Sequence, residues 1–262
     1  TQYIYQTWSG TTWTDNSRNT YTYDANNNRI GSLYETWSGM VWVNVSRYTS
    51  TYDANKNLIQ ETSQTWNGTT WINDYRSTYT YDANDNPIIY LSETWDITNN
   101  VWKNSNQYLI TYDANDNPSE YLFQSWDATN NVWKNDYRYS YTYNSNNKLI
   151  DGLYQSWDIS VWKNESRFTY VYNANNDPIE YLYQTWDVTV WKNDSKYTFL
   201  YDSNNNNTEE TYQSWDGTSW VNQYKYLYTY VPETSIVLTS PNGGENWPVG
   251  ASRNITWTSS NI

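Results

Sequence analysis

The chain of 262 residues contains neither cysteine nor histidine. Without cysteine there are no disulfide bonds, thiolate nucleophiles or zinc sites built on sulfur ligands. Without histidine there is no acid–base catalysis by imidazole, the side chain that titrates nearest to neutral pH. An exported protein need not contain disulfides, so a location outside the cell stays open.

Long apolar runs and positive charge are also scarce. No run approaches the roughly 20 residues of a membrane-spanning helix, so we expect no membrane insertion. Thr1 does not begin a signal peptide and the chain opens inside a repeat, so we interpret it as a mature or excised fragment. The 15 Lys and Arg face 28 Asp and Glu, a net charge of −13 that argues against nucleic acid as a partner.

Aromatic rings stand where aliphatic residues are missing. The chain has 18 Trp and 30 Tyr but only three Phe and one Met. Sixteen of the Trp form pairs whose first members recur every 29 or 31 residues: Trp8/Trp13, Trp37/Trp42, Trp66/Trp71, Trp95/Trp102, Trp126/Trp133, Trp157/Trp162, Trp186/Trp191 and Trp215/Trp220. A period this regular predicts a repeat architecture of eight units.

Each repeat contains two runs typical of strands, a shorter one such as Ile179–Trp186 and a longer one such as Trp133–Tyr143. Alternation in the longer run predicts one face with Trp133 and Tyr139 and an opposite polar face with Arg138. The prediction is an all-β meander of eight hairpins, about 16 antiparallel strands. A long sheet must protect the unpaired backbone groups of its edge strands, and it can do so as a curled superhelical sheet or as a soluble closed barrel.

Two kinds of turn join the runs. Between the paired Trp, four repeats carry glycines suited to positive φ: Gly10, Gly39, Gly68 and Gly217. The other turn reads Asp-Ala-Asn-x-Asn, typical of an Asx turn with a left-handed residue. If this loop has an even number of residues, the Tyr of the longer strand share a face with Tyr181 and Tyr183. If it contains a one-residue bulge, they share a face with Leu182 and Trp186. We prefer the bulge, because otherwise the Trp pairs of successive repeats would alternate between faces.

The composition changes near residue 232. We therefore predict a Tyr/Trp-rich hairpin-repeat domain over 1–232 and the incomplete start of an Ig-like β-sandwich domain over 233–262. The second segment lacks the Tyr pattern and contains a Ser-Pro-Asn-Gly-Gly turn cluster between two short strand runs.

Two stretches of the sequence resemble known protein families. Tyr-x-Tyr-Asp before a short turn, as at Tyr21–Asp24 and Tyr79–Asp82, resembles the YD-repeat (RHS-type) family of bacterial surface and toxin-shell proteins. It implies an antiparallel hairpin array at a surface location. The tail SPNGGENWPVGASRNITWTSSN resembles the opening of the β-sandwich module of the Ser-Thr-rich anchored membrane family (KNH-like). That resemblance implies a multidomain, exported parent chain.

Few residues have the pattern of a chemical site. The Asx turns overlap the first ligands of a calcium loop but lack its distal Glu, so they are weak Ca²⁺ candidates: Asp82, Asn84, Asn86, Asp113, Asn115 and Asn117. Ligand stacking on aromatic rings is the other candidate, at Trp37, Trp42, Trp66, Trp71, Trp95 and Trp102. A recurring Arg and a recurring Glu or Gln, such as Arg76 and Glu93, predict a cross-strand polar ladder. We predict no catalytic residue and no cofactor.

The expected function is a non-catalytic repeat segment of a secreted or cell-surface bacterial protein, structural or adhesive. Two alternatives are a polysaccharide-binding module that uses exposed Trp and Tyr, and an RHS-like protective shell. The expected partners are other domains of the same parent chain and a cell-surface glycan or protein.

Overall fold

The computed structural model describes residues 1–230, 235–240 and 255–260. The regular elements in these residues are all β-strands. The first sixteen are β1 Gln2–Trp8, β2 Trp13–Tyr23, β3 Arg29–Trp37, β4 Trp42–Tyr52, β5 Leu58–Trp66, β6 Trp71–Tyr81, β7 Pro87–Asp96, β8 Val101–Tyr112, β9 Pro118–Asp127, β10 Val132–Tyr143, β11 Leu149–Asp158, β12 Val161–Tyr172, β13 Pro178–Asp187, β14 Val190–Tyr201, β15 Asn207–Trp215 and β16 Trp220–Leu227. Two further strands follow, β17 Ser235–Ser240 and β18 Thr256–Ser260.

The first sixteen strands form one open antiparallel sheet in the order β1 to β16, which confirms the predicted all-β meander of hairpins. Strands β17 and β18 pair with each other in a separate sheet. The predicted β-sandwich start over 233–262 otherwise lies outside the described residues. The chain divides into two compact units, Thr1–Asp194 and Ser195–Ile262. In the described part of the chain, no helix has the length and apolarity needed to cross a membrane.

The sheet of the first unit is a single layer. Between residues 1 and 194 the backbone of each strand lies next to only the strands before and after it, and side chains on one face reach as far as the second strand. No apolar side chain is buried among the described residues, and the buried side chains are polar, including Glu35, Glu93, Ser63 and Ser77. The aromatic rings therefore form cross-strand ladders and do not fill a core between two layers. Stability has to come from backbone pairing and from side-chain contacts along each face.

The Asn-rich turns follow the predicted Asx geometry. In the third repeat, Oδ1 of Asp82 accepts hydrogen bonds from the backbone N–H groups of Asn84 and Asn86, each at 2.9 Å. The residue between them, Asp85, has a φ of 64°. Equivalent residues of the other repeats share this left-handed conformation: Asn27, Lys56, Asp116, Asn147, Asn176 and Asn205.

The hairpin tips at the Trp ends use three solutions, one of which is an Asn with positive φ in the enlarged loops of the fourth and fifth repeats, Asn100 and Asn131. The four predicted glycines have positive φ, as expected. In the sixth and seventh repeats a β-branched residue takes this role: Ile159 has a φ of 58° and Val188 a φ of 54°. The N–H of Ser160 donates to the carbonyl of Asp158, and Thr189 likewise to Asp187, so each tip is a strained γ-turn.

A β-bulge in the long strands β2, β4, β6, β8, β10, β12 and β16 determines which face each side chain occupies, and no residue type marks it in the sequence. In β10 the register shifts between Asn135 and Tyr137, so Asp136 is an extra residue. Beyond it the faces exchange: Arg138 lies over a Trp ring, whereas Tyr139 stacks on Tyr154 on the other face. The predicted shared face of Trp133 and Tyr139 is therefore wrong.

The preferred outcome of the Asn-rich turn is also wrong, although a bulge is present there. In β12 the register shifts between Val171 and Tyr172, but Tyr170 lies opposite Tyr181 at 4.9 Å between ring centroids. The Tyr of the long strand thus share the face of Tyr181, not that of Trp186. The second bulge keeps all Trp pairs of this unit on one face, because the two shifts compensate. We call the two surfaces the tryptophan face and the tyrosine face.

Candidate functional site: the tryptophan–arginine row

The seven Trp pairs of the first unit form a row at one end of its hairpins, and Trp215 and Trp220 form the same pair in the second unit. In each pair the two Trp lie directly opposite across the hairpin, as predicted; Trp66 and Trp71 have ring centroids 5.1 Å apart and planes inclined at 60°. The other pairs in the first unit have centroid distances between 4.9 and 5.3 Å. Trp8 and Trp13, on the edge hairpin, are 55% and 64% exposed, whereas all other paired Trp are half-buried.

A cation from the preceding repeat covers the second Trp of most pairs. The guanidinium carbon of Arg76 lies 4.8 Å from the ring centre of Trp102, two strands away. The same contact, at 4.5 to 4.9 Å, joins Arg18 to Trp42, Arg47 to Trp71, Arg138 to Trp162, Arg167 to Trp191 and, in the second unit, Lys196 to Trp220. Each such contact contributes about 0.5–1 kcal/mol where the ring is partly exposed.

The strand between each Arg and its Trp supplies a hydrogen-bond acceptor. Arg76 donates through Nε and Nη2 to the two carboxylate oxygens of Glu93, at 2.6 and 2.7 Å. Where the acceptor is Gln, its amide continues the chain of contacts: Arg47 donates to Gln64, which donates to Asn73 at 2.7 Å. The predicted cross-strand polar ladder is thus present, and it lies on the tryptophan face.

The row has one break. Gln107 stands where other repeats have Arg, and it donates to Gln124 at 2.6 Å. Among the described residues no cation lies over Trp133, the ring that this position would cover. The repeat is therefore joined to the next by neutral hydrogen bonds.

The structure divides the six predicted stacking residues into two sets. Trp42, Trp71 and Trp102 have one ring face covered by a guanidinium group of this chain, and Trp37, Trp66 and Trp95 are the partners that tilt against them. The contact of Arg with the Trp rings was missed from the sequence, because the alternation placed Arg and Trp on opposite faces. Only the bulge three or four residues after each second Trp brings them together.

The predicted calcium ligands serve their own turns. The two carboxylate oxygens of Asp113 accept hydrogen bonds from the backbone N–H groups of Asn115 and Asn117 and from the Asn117 amide. Asn84 and Asn86 donate to Asp116 of the next turn, at 3.0 and 3.2 Å. In the described part of the chain, no group of three or more acidic residues could hold a metal ion. Weak Ca²⁺ binding at these turns stays a prediction.

Hydrogen bonds in these turns predict acid sensitivity. The backbone N–H of Asn86 lowers the pKa of Asp82 below its ordinary value of 3.8, and similar donors lower the pKa values of Asp24, Asp113 and Asp202. A carboxylate with a depressed pKa stabilises the fold above its unfolded pKa and loses that contribution as the pH falls through its folded pKa. We therefore expect the urea concentration at the unfolding midpoint to decrease as the pH is lowered below about 4.

The chain offers its own control for this pH prediction. The fifth and sixth repeats carry Asn144 and Asn173 at the same turn position, and Oδ1 of Asn144 accepts the same backbone hydrogen bonds. Substituting Asn at all four positions, Asp24, Asp82, Asp113 and Asp202, should preserve the turns at pH 7 and reduce the pH dependence of the urea midpoint below pH 4. An unchanged slope in the fourfold variant would contradict the assignment to these turns.

Comparison with known proteins gives limited information. No protein-family model matches the chain, and no curated protein matches it significantly. Among solved structures, it is similar to a protein of unknown function from Bacteroides fragilis at 16% identity, covering 47% of this chain and 89% of that one, with a TM-score of 0.39. A DUF3836 family protein from Bacteroides vulgatus matches at 21% identity over 34% of this chain and 89% of that one, with a TM-score of 0.29. The TcdB2-TccC3 structure matches at 12% identity over 82% of this chain and 14% of that chain, with a TM-score of 0.36. At these TM-scores the similarity carries no inference about function.

Proposed function

We propose that the chain is a non-catalytic repeat module of a secreted or cell-surface protein. It acts as a structural spacer that holds other domains of its parent chain at a distance. The observation that carries this proposal is the use of the Arg side chains. Each Arg of the row is bound to the next strand and to the Trp of the strand after it, so the same three-strand contact joins one repeat to its successor. Repeat proteins obtain their stability from such nearest-neighbour contacts.

A second contact joins the two strands of a single hairpin at the end opposite its Trp pair. The hydroxyl of Tyr81, in the Tyr-x-Tyr-Asp box, donates to the carbonyl of Leu58 at 2.9 Å, 23 residues earlier. The same bond recurs from Tyr52, Tyr112, Tyr143 and Tyr172 to the carbonyls of Arg29, Pro87, Pro118 and Leu149. Each hairpin is thus closed at one end by a Tyr hydroxyl of its own long strand, and the Arg contacts join it to the next hairpin.

The acidic residues support a non-catalytic role. A carboxylate that works in catalysis is set apart from its neighbours by a particular environment. Here Glu35 and Glu93 occupy equivalent positions and both bind an Arg, while Asp82 and Asp113 both close a turn. Equivalent residues with equivalent partners indicate a structural use.

The proposal is tested by removing whole repeats. Deleting residues 67–95, which span 29 residues, puts Trp66 in the place of Trp95 and preserves the pattern. We expect this variant to fold, with a β-sheet circular dichroism spectrum and a moderately lower free energy of unfolding in urea. Deleting residues 67–81, half a repeat, joins a Trp end to an Asn-rich turn and should abolish cooperative unfolding. Equal loss of structure in both variants would contradict a nearest-neighbour spacer.

A polysaccharide-binding module is the second candidate, and a groove on the Trp row favours it. The groove has a volume of about 450 Å³ and lies between Trp162 and Trp186 of successive repeats, with Lys163 and Val188 at its border. A glycan array followed by tryptophan fluorescence titration tests this function, and the absence of any binder would reject it. The protective shell remains a prediction from resemblance.

A further inference from the structure

Arg47 differs from the other arginines of the row in its surroundings. Each of the other four interacts with a carboxylate. Three form ion pairs, Arg18 with Glu35, Arg76 with Glu93 and Arg138 with Glu120. The fourth, Arg167, interacts electrostatically with Asp151. Arg47 instead donates through Nε to the neutral Oε1 of Gln64. Among the described residues it forms no ion pair, and its two terminal nitrogens donate no hydrogen bond.

Gly31 makes the surface beside Arg47 different as well. This position, six residues before the first Trp, has a side chain in the other repeats: Gln2, Gln60, Ile89, Glu120, Asp151, Glu180 and Glu209. A Cβ at Gly31 would meet no atom closer than 3.5 Å, and the residue does not have a left-handed φ. The backbone would therefore accept another residue, and the glycine serves to leave space on the tryptophan face.

The space is a groove whose floor lies on β2, β3 and β4 and which extends to the ring of Trp71 on β6. Gly31 lies opposite Thr22 on one side and Thr49 on the other, and the next residue on this face, Leu33, lies between Thr20 and Arg47. The groove has a volume of about 330 Å³, and Asn44 and Trp71 also line it. Its outer strands are about 10 Å apart, since neighbouring strands are separated by about 4.8 Å.

We propose that this groove binds a small polyhydroxylated carboxylate, the chemistry of a sugar acid such as a uronic acid. Arg47 would bind the carboxylate through its two terminal nitrogens, the geometry in which a guanidinium group recognises an oxyanion. Thr20, Thr22 and Thr49 would exchange hydrogen bonds with the ligand hydroxyls, and Gly31 lets the ring approach the sheet backbone. The site goes beyond the spacer role and does not depend on it.

The test is a titration of the ¹⁵N-labelled full chain, followed by NMR at the amides of Gly31 and Thr49. The probes are sodium glucuronate, glucose, sodium acetate and an oligogalacturonate. We expect glucuronate to bind at least about tenfold more tightly than glucose or acetate, since only glucuronate uses both Arg47 and the hydroxyl groups. Tighter binding of the oligogalacturonate identifies a polysaccharide as the source of the ligand; equal binding identifies a free sugar acid.

Three variants locate the site. Gln64→Glu gives Arg47 the carboxylate that Arg18 and Arg76 already have, so it should retain the fold and weaken glucuronate binding about tenfold or more. Gly31→Gln fills the groove with the residue found at position 60 and should have the same effect. Arg167→Gln removes an Arg that also binds a Gln and a Trp, and it should leave binding unchanged.

Four results would overturn the proposal. They are no binding of glucuronate, equal binding of glucose or acetate, undiminished binding by either the Gln64→Glu or the Gly31→Gln variant, and loss of binding in Arg167→Gln. Retention of the wild-type circular dichroism spectrum and urea midpoint by the Gln64→Glu variant separates a lost site from a lost fold.

Discussion

Replacing Glu93 with alanine is expected to lower the free energy of unfolding by about 2 kcal/mol. The Glu93 side chain is only 10% exposed and accepts two hydrogen bonds from Arg76. Its removal leaves the Arg76 guanidinium beside Trp102 with its hydrogen bonds unmade. Loss of one partner of a buried ion pair costs 3–5 kcal/mol, and the 26% exposure of Arg76 reduces this figure because water replaces part of the contact.

The matched control is Glu93→Gln. Gln64, Gln155 and Gln184 occupy the same position in other repeats, and each accepts a hydrogen bond from its Arg at 2.5 to 2.7 Å. Glutamine at position 93 should therefore cost less than about 1 kcal/mol, since a hydrogen bond to a charged donor is retained. Urea unfolding followed by tryptophan fluorescence measures both variants. Equal losses for alanine and glutamine would show that the Arg–acceptor contact does not hold the repeats together.

The features predictable from the sequence are those fixed by short stretches of chain. The Trp66–Trp71 hairpin with Gly68 at its tip and the Asx turn at Asp82 were predicted from local patterns, and both are present. The faces of the long strand were not predictable in this way. The bulged residues include Val45, Ser105, Asp136 and Glu165, which share no residue type and no glycine, so the sequence carries no mark of the shift.

The role of the aromatic rings also depends on more than composition. A chain with 18 Trp and 30 Tyr suggests a core of amphipathic rings. In the single-layer sheet of residues 1–194, a ring can be covered only by neighbours on its own face. The hydroxyls of Tyr108 and Tyr137 meet at 2.9 Å, and Phe123 stacks on Tyr137 at 4.8 Å. Pairwise covering of this kind leaves the rings half-exposed, and it explains why Tyr serves better here than Phe.

The tyrosine face supplies the second large effect: Gly152→Ala is expected to destabilise the protein by about 1–3 kcal/mol, the usual cost of overpacking. An added Cβ would lie 2.2 Å from Cζ of Phe168 on the neighbouring strand, so the ring would have to move. That ring is positioned by its contacts with Tyr170 and Tyr181, at 5.9 and 5.8 Å between centroids. Displacing it breaks the aromatic ladder between two hairpins.

Two comparisons separate this clash from a general effect of replacing glycine. The Cβ added by Gly31→Ala meets nothing closer than 3.5 Å, so this substitution should be neutral or stabilise by up to about 1 kcal/mol through the lower entropy of the unfolded chain.

A double-mutant cycle with Phe168 is the second comparison. Serine stands at the position equivalent to Phe168 in the third repeat, at Ser77, so Phe168→Ser is a substitution that the repeat accepts. In that background Gly152→Ala should lose most of its cost, which gives a coupling energy above about 1 kcal/mol in a double-mutant cycle. The same cost in both backgrounds would assign the effect to the backbone of β11 and not to the Phe168 ring.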